Sequence, residues 1–178
     1  MYNRGIRLSA NIIEDLQDTV AQVAVIMGSR SDWETVRPCC DALDSFEVSF
    51  EYGIVSAHRT PDRMMRYVGA ARARGIKVII ACAGGSAHLP GMVASETMLP
   101  VLGFGPTAKD FGPMDVIGSC VRMPSGVPLS FMGLDKAGAE NAAYEALRII
   151  ALLDETVASR YSAFMQNQTE TVPYSAHD

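Results

Sequence analysis

Long apolar runs are missing from this 178-residue chain, and none approaches the ~20 residues that a membrane-spanning helix needs. Basic runs are missing as well. The net charge is −5, so there is no electropositive face for a nucleic acid, and neither a nucleic-acid nor a membrane partner is expected. Cysteine is scarce: Cys39, Cys40, Cys82 and Cys120 are the four present, and their spacing fits no zinc pattern. Adjacent Cys39 and Cys40 are poor disulfide partners, which points to buried, reduced thiols in a cytoplasmic protein. The first residues carry scattered acids and no apolar core, unlike a secretory signal. Neither G-x-G-x-x-G nor a P-loop occurs, which argues against dinucleotides and nucleoside triphosphates. No internal repeat, low-complexity tract or linker interrupts the chain, so one domain is expected.

Hydrophobic residues make up 48% of the chain, and their arrangement is informative. Gln22–Met27 is a short apolar run ending at Gly28, as in a strand buried on both faces. Similar runs at Val48–Ile54, Lys77–Ala83, Leu99–Phe104 and Val127–Met132 give five strands. Between them lie helical stripes, such as Trp33, Val36, Cys40 and Leu43, or Met64, Tyr67 and Ala71 with Thr60 as N-cap and Pro61 at the first helical position. A third stripe runs from Ala139 through Ala143, Ala146, Leu147 and Ile150 to Leu153. Such alternation predicts an α/β, three-layer, flavodoxin-like fold with a five-stranded parallel sheet. Residues 1–21 read as an extension in which Ile12, Ile13 and Leu16 suit a short helix. Residues 22–153 form the α/β domain, and 154–178 a C-terminal helix and tail. The helix is weakly amphipathic, through Val157, Tyr161, Phe164 and Met165.

In open α/β sheets, ligands bind beyond the carboxyl ends of the strands. Three clusters fall there. After the first strand come Gly28, Ser29, Arg30, Ser31 and Asp32, whose hydroxyls and helix start suit an anion, with Asp32 able to accept from ribose hydroxyls. The same residues are also ordinary helix caps. After the second come Ser56, Ala57, His58, Arg59, Thr60 and Pro61, in which His58 can carry a proton and Arg59 can grip a phosphate. A lone loop histidine is more often structural. After the third come Ala83 to Gly91, where Gly84 and Gly85 permit close backbone approach and His88 opens a helix. A tight strand-to-helix turn would look the same. Together the clusters say more, because two of only three histidines fall on successive strand ends of one rim. The third, His177, lies in the tail. His58, His88 and Asp32 could hold a metal, but they lack H-x-x-x-H spacing and no metal is expected.

These segments closely resemble the class I PurE family of N5-carboxyaminoimidazole ribonucleotide mutases. The match runs over about residues 22–153. Its specific parts are Met27 to Trp33, Ser56 to Pro61, Ala83 to Met92, and Met123-Pro124-Ser125-Gly126-Val127-Pro128. The resemblance implies isomerisation of N5-carboxyaminoimidazole ribonucleotide to 4-carboxyaminoimidazole ribonucleotide in purine synthesis, without cofactor. It implies His58 as general acid/base supported by His88. Ser29 and Asp32 would bind substrate, and Ser31 and Arg59 would lie near its phosphate. Ser56, Ala57, Gly84, Gly85, Ser86, Ala87 and Leu89 would complete the binding site. A homo-octamer is also implied. Class II carboxylases of the family typically have Lys after the first histidine and lack the second, so Arg59 and His88 resemble class I. Two segments depart from the family pattern: Leu129-Ser130-Phe131-Met132-Gly133-Leu134, where small residues are usual, and the loop Phe104 to Asp110. They bear on packing, subunit contacts and substrate choice. The competing readings are a related carboxylase or decarboxylase acting on another ribonucleotide, and a non-catalytic nucleotide-binding module.

Overall fold

The computed structural model describes residues 4–8, 21–107 and 112–175. Its strands are β1 (Gly5–Arg7), β2 (Val23–Met27), β3 (Phe50–Ile54), β4 (Val78–Cys82), β5 (Val101–Gly105) and β6 (Ser130–Leu134). All pair in parallel, in the order β1-β3-β2-β4-β5-β6. Without β1 this is the flavodoxin-like strand order. Among the described residues there are six α-helices: α1 (Trp33–Ser45), α2 (Pro61–Ala71), α3 (His88–Ser95), α4 (Pro113–Val121), α5 (Asp135–Ala151) and α6 (Glu155–Glu170).

The central strands explain the layering. In β2, Val23, Val25 and Met27 face one way and Ala24 and Ile26 the other, all fully or nearly fully buried. A strand covered on both faces has no reason to alternate polar with apolar residues. The first set packs with α1, α5 and Val157 of α6, and the second with α2, α3 and α4. All four cysteines are buried free thiols. Burial pushes the Cys120 thiol up to about 11, so it is a poor nucleophile at neutral pH.

Two sequence expectations change. The sheet has six strands rather than five, because Gly5–Arg7 of the N-terminal extension pairs with Phe50–Tyr52 of β3. The last strand is Ser130–Leu134 rather than Val127–Met132. Its apolar start is taken up by a turn, in which the Val127 N–H donates to the Pro124 carbonyl over Gly126 at φ +91°, and by Pro128, which has no N–H to give a ladder. The apolar side of α6 finds partners within its own chain: Tyr161 and Phe164 pack on Phe46, with ring centroids 5.9 and 5.4 Å away, and Phe164 lies 4.8 Å from Tyr144. Ile12, Ile13, Leu16, Lys109, Asp110 and His177 lie outside the described residues.

Among the described residues one charged group is fully buried. Glu51 of β3 accepts from Arg74 through both oxygens at 2.8 Å and from the Tyr67 hydroxyl. Burial first, and then the Glu51 charge, push the Tyr67 phenol well above its usual range, so it remains a donor. A buried ion whose partner is removed is left with its full desolvation cost. Arg74→Ala is therefore expected to reduce unfolding free energy by about 3–5 kcal/mol in urea titration. A loss below ~1 kcal/mol would mean that the pair acts as a solvated surface bridge does.

Candidate active site

The parallel register sets three loops side by side. Met27 at the end of β2 lies level with Ile54 of β3 and Cys82 of β4. The ladder continues one residue further, with Val55 N–H donating to the Met27 carbonyl at 2.9 Å and Gly28 N–H to the Cys82 carbonyl at 3.1 Å. The clusters beginning at Gly28, Ser56 and Ala83 therefore leave one edge of the sheet together, at the point where strand connections diverge from β2.

In the first loop, Ser29 caps a single 3-10 turn, Arg30–Asp32, that leads into α1. Asp32 accepts from Ser29 N–H at 2.9 Å and from the Ser31 hydroxyl at 3.4 Å. Burial raises the Asp32 carboxyl above its ordinary range, against the lowering effects of Ser29, Ser31 and the Arg59 charge. In the second loop, Arg59 Nη2 donates to the Gly28 carbonyl at 3.0 Å, tying that loop to the first. Its Nε donates to Ser56 Oγ at 3.3 Å. Thr60 occupies the N-cap position of α2, but its hydroxyl donates back to the Ser56 carbonyl at 2.9 Å and does not cap the helix. Tight turn formation takes precedence over capping there.

The third loop brings the histidines together. His88 Nδ1 lies 3.2 Å from His58 Nε2, with the rings at 90°. One ring must donate and the other accept, so each fixes the other's tautomer. His88 is aimed by Ala87, buried and left-handed at φ +38°. That region is costly for a residue with a Cβ, and such strain often marks functional sites. Gly84 lies between neighbours of the site: a Cβ there would meet Pro106 Cγ at 3.4 Å and Asp32 Oδ1 at 3.8 Å.

The sequence-predicted residues thus converge, with different contributions. Ser29, Ser31 and Asp32 are hydrogen-bonded together, Arg59 ties Ser56 to that loop through the Gly28 carbonyl, and His58 and His88 form a separate pair on the same rim. Ala57, Ala87 and Leu89 have side chains in the core and present main chain to the rim. Pro106, from the end of β5, was not singled out by the sequence reading, although a Gly105-Pro106 turn signal marks it. Among the described residues no group of three His, Cys, Asp or Glu side chains could hold a metal ion. A cleft of about 730 Å³ opens on the β1 flank between Arg30, Trp33, Tyr52 and Arg63, and neither histidine lines it.

Known proteins are similar to this chain in sequence and in fold. Residues 22–171 match the family model described as AIR carboxylase. The N5-carboxyaminoimidazole ribonucleotide mutase of Bacillus subtilis is 50% identical over 84% of this chain and 93% of its own. The protein of that name from Brucella melitensis is 49% identical over the same shares. A crystal structure of Treponema denticola PurE superposes with a TM-score of 0.75 at 29% identity, covering 83% of this chain and 91% of that one. The histidine rim thus sits in a chain that belongs to the AIR carboxylase family.

Proposed function

We propose that the chain isomerises N5-carboxyaminoimidazole ribonucleotide to 4-carboxyaminoimidazole ribonucleotide, a step of purine synthesis, and does so in the cytoplasm. The observation that carries this reading is the His58–His88 pair, 3.2 Å apart and level with the Ser29–Asp32 turn. The carbamate loses carbon dioxide, and its nitrogen takes up a proton. Carbon 4 of the electron-rich ring then recaptures the gas and gives up its own proton. One proton is delivered and one removed, so a single acid–base group serves both steps. His58 takes that role, and His88 holds its tautomer. Arg59 and Ser31 meet the phosphate, while Ser29 and Asp32 bind the ribosyl part. The main chain of Ser56, Ala57 and Gly84 to Leu89 walls the ring.

Retaining carbon dioxide needs a closed pocket, yet both histidines are exposed in the single chain. Leu152 and Leu153 are also 82% and 77% exposed. These features support a homo-octamer in which neighbouring copies close the site. Light scattering should then give a mass eight times that of the 19.2 kDa chain. A monomer at micromolar concentration would contradict the assembly.

His58→Asn should lower kcat at least ~10²-fold with little change in substrate affinity. Arg59→Ala should raise KM about 10- to 150-fold through loss of a charge-assisted contact. Product absorbance read over a substrate series separates the two, and near-parental turnover by His58→Asn would overturn the mechanism.

The raised Asp32 carboxyl gives a pH test. Folded chains hold that proton to higher pH than unfolded ones, so between the two values the folded state binds more protons, and the Asp32 contribution to stability falls as pH rises. Asp32→Asn removes this dependence. Its stability relative to the parent should grow as pH climbs from about 4 and then level off, while substrate binding weakens. An Asn variant less stable than the parent at neutral pH would show that the ionised carboxylate is favourably held.

A further inference from the structure

We propose that Asp135 is a positioning residue that fixes Pro106 as one wall of the ligand pocket, an inference that rests on the site assigned above. Asp135 opens α5 with a left-handed backbone at φ +53°. Glycine adopts that conformation without penalty and aspartate does not, so a side-chain role has to account for it. The carboxylate is not used on the helix. Its Oδ1 accepts from Thr107 N–H and its Oδ2 from the Thr107 hydroxyl, both at 2.8 Å, across 28 residues of sequence.

The place of this clamp is telling. The β5–β6 ladder shifts register between Gly103 and Gly105, and its last pair is Gly105 with Leu134. Two residues beyond that pair, the Thr107 N–H goes to the Asp135 carboxylate. Thr107 follows Pro106, and a Cβ built on Gly84 would lie 3.4 Å from the Pro106 ring and 3.8 Å from Asp32 Oδ1, so both border the same spot beside Gly84. Gly105 has no room for a side chain at all, since a Cβ on it would strike the Ala83 carbonyl and Val116. The Asp135 carboxylate thus holds Thr107, and with it the preceding Pro106, at the spot beside Gly84 that Asp32 also borders.

Asp135→Gly removes the clamp and relieves the backbone at once, so it should fold at least as stably as the parent. KM for N5-carboxyaminoimidazole ribonucleotide should nevertheless rise about 5- to 30-fold, with a smaller change in kcat. Asp135→Asn, which keeps one acceptor, should recover part of the loss, and Thr107→Val, which keeps the N–H donor, should likewise be intermediate. Amide hydrogen exchange reads the clamp without any substrate, and Asp135→Gly should speed exchange at residues 83–87 and 103–107. If exchange changed only around residues 133–138, or if KM stayed within twofold of the parent, the proposal would be overturned. A parent chain inactive on this substrate would defeat the function reading alone, leaving the exchange result to decide the clamp.

Discussion

Everything at the rim depends on the level ends of β2, β3 and β4. Loops of three different crossovers can share one ligand only if the strands that launch them stop at the same height, and in a parallel sheet hydrogen-bond register sets that height. Met27 pairs with both Ile54 and Cys82. Moving either neighbour by one residue would turn its side chains to the opposite face and carry its loop about 3.3 Å along the strand. The apolar residues of β2 and β4, committed to two separate cores, forbid that slip. Core packing thus specifies the 3.2 Å contact between two histidines thirty residues apart.

On that scaffold the site concentrates features that an optimally stable protein would avoid. Asp32 is buried although ionisation is then disfavoured. Ala87 and Asp135 carry Cβ atoms on left-handed backbone. Natural proteins tolerate such local costs where ligand geometry requires them, and the surrounding core supplies the margin. The Glu51–Arg74–Tyr67 group is different in kind. It lies in the β3 register below the rim, where Glu51 pairs with Ala24, three residues before Met27, and it serves the join between β3 and α2.

The parts legible in sequence were those that single residues or short runs declare. Val23–Met27 and Val78–Cys82 are unbroken apolar runs, and strands buried on both faces have to be. Ser29, His58 and His88 could be placed because each follows such a run directly. What stayed hidden were pairings across long separations. Gly5-Ile6-Arg7 is too short for any periodicity and becomes a strand only because β3 offers it an open edge. The apolar stripe of α6 was visible, but its partner Phe46 lies more than a hundred residues earlier. Asp135 and Thr107 look like ordinary polar loop residues until the fold joins them. The late start of β6 was obscured because Val127, Pro128 and Leu129 are apolar, whereas the exclusion of Pro128 from the ladder is a matter of hydrogen bonding.

Strand β1 has a further consequence. Without it, β3 would end the sheet with a free row of N–H and C=O groups, the kind of template on which chains join edge to edge and aggregate. Residues 5–7 lie outside the family match at 22–171, yet they cover this row, with Phe50 N–H donating to the Arg4 carbonyl and Leu8 N–H to that of Tyr52. The added segment thus acts as a guard strand, protecting one border of the sheet at almost no cost in core volume. It also makes the two borders unequal: the β3 border is covered by main-chain pairing, while among the described residues no strand pairs with the outer edge of β6, where Phe131 and Met132 are half-exposed.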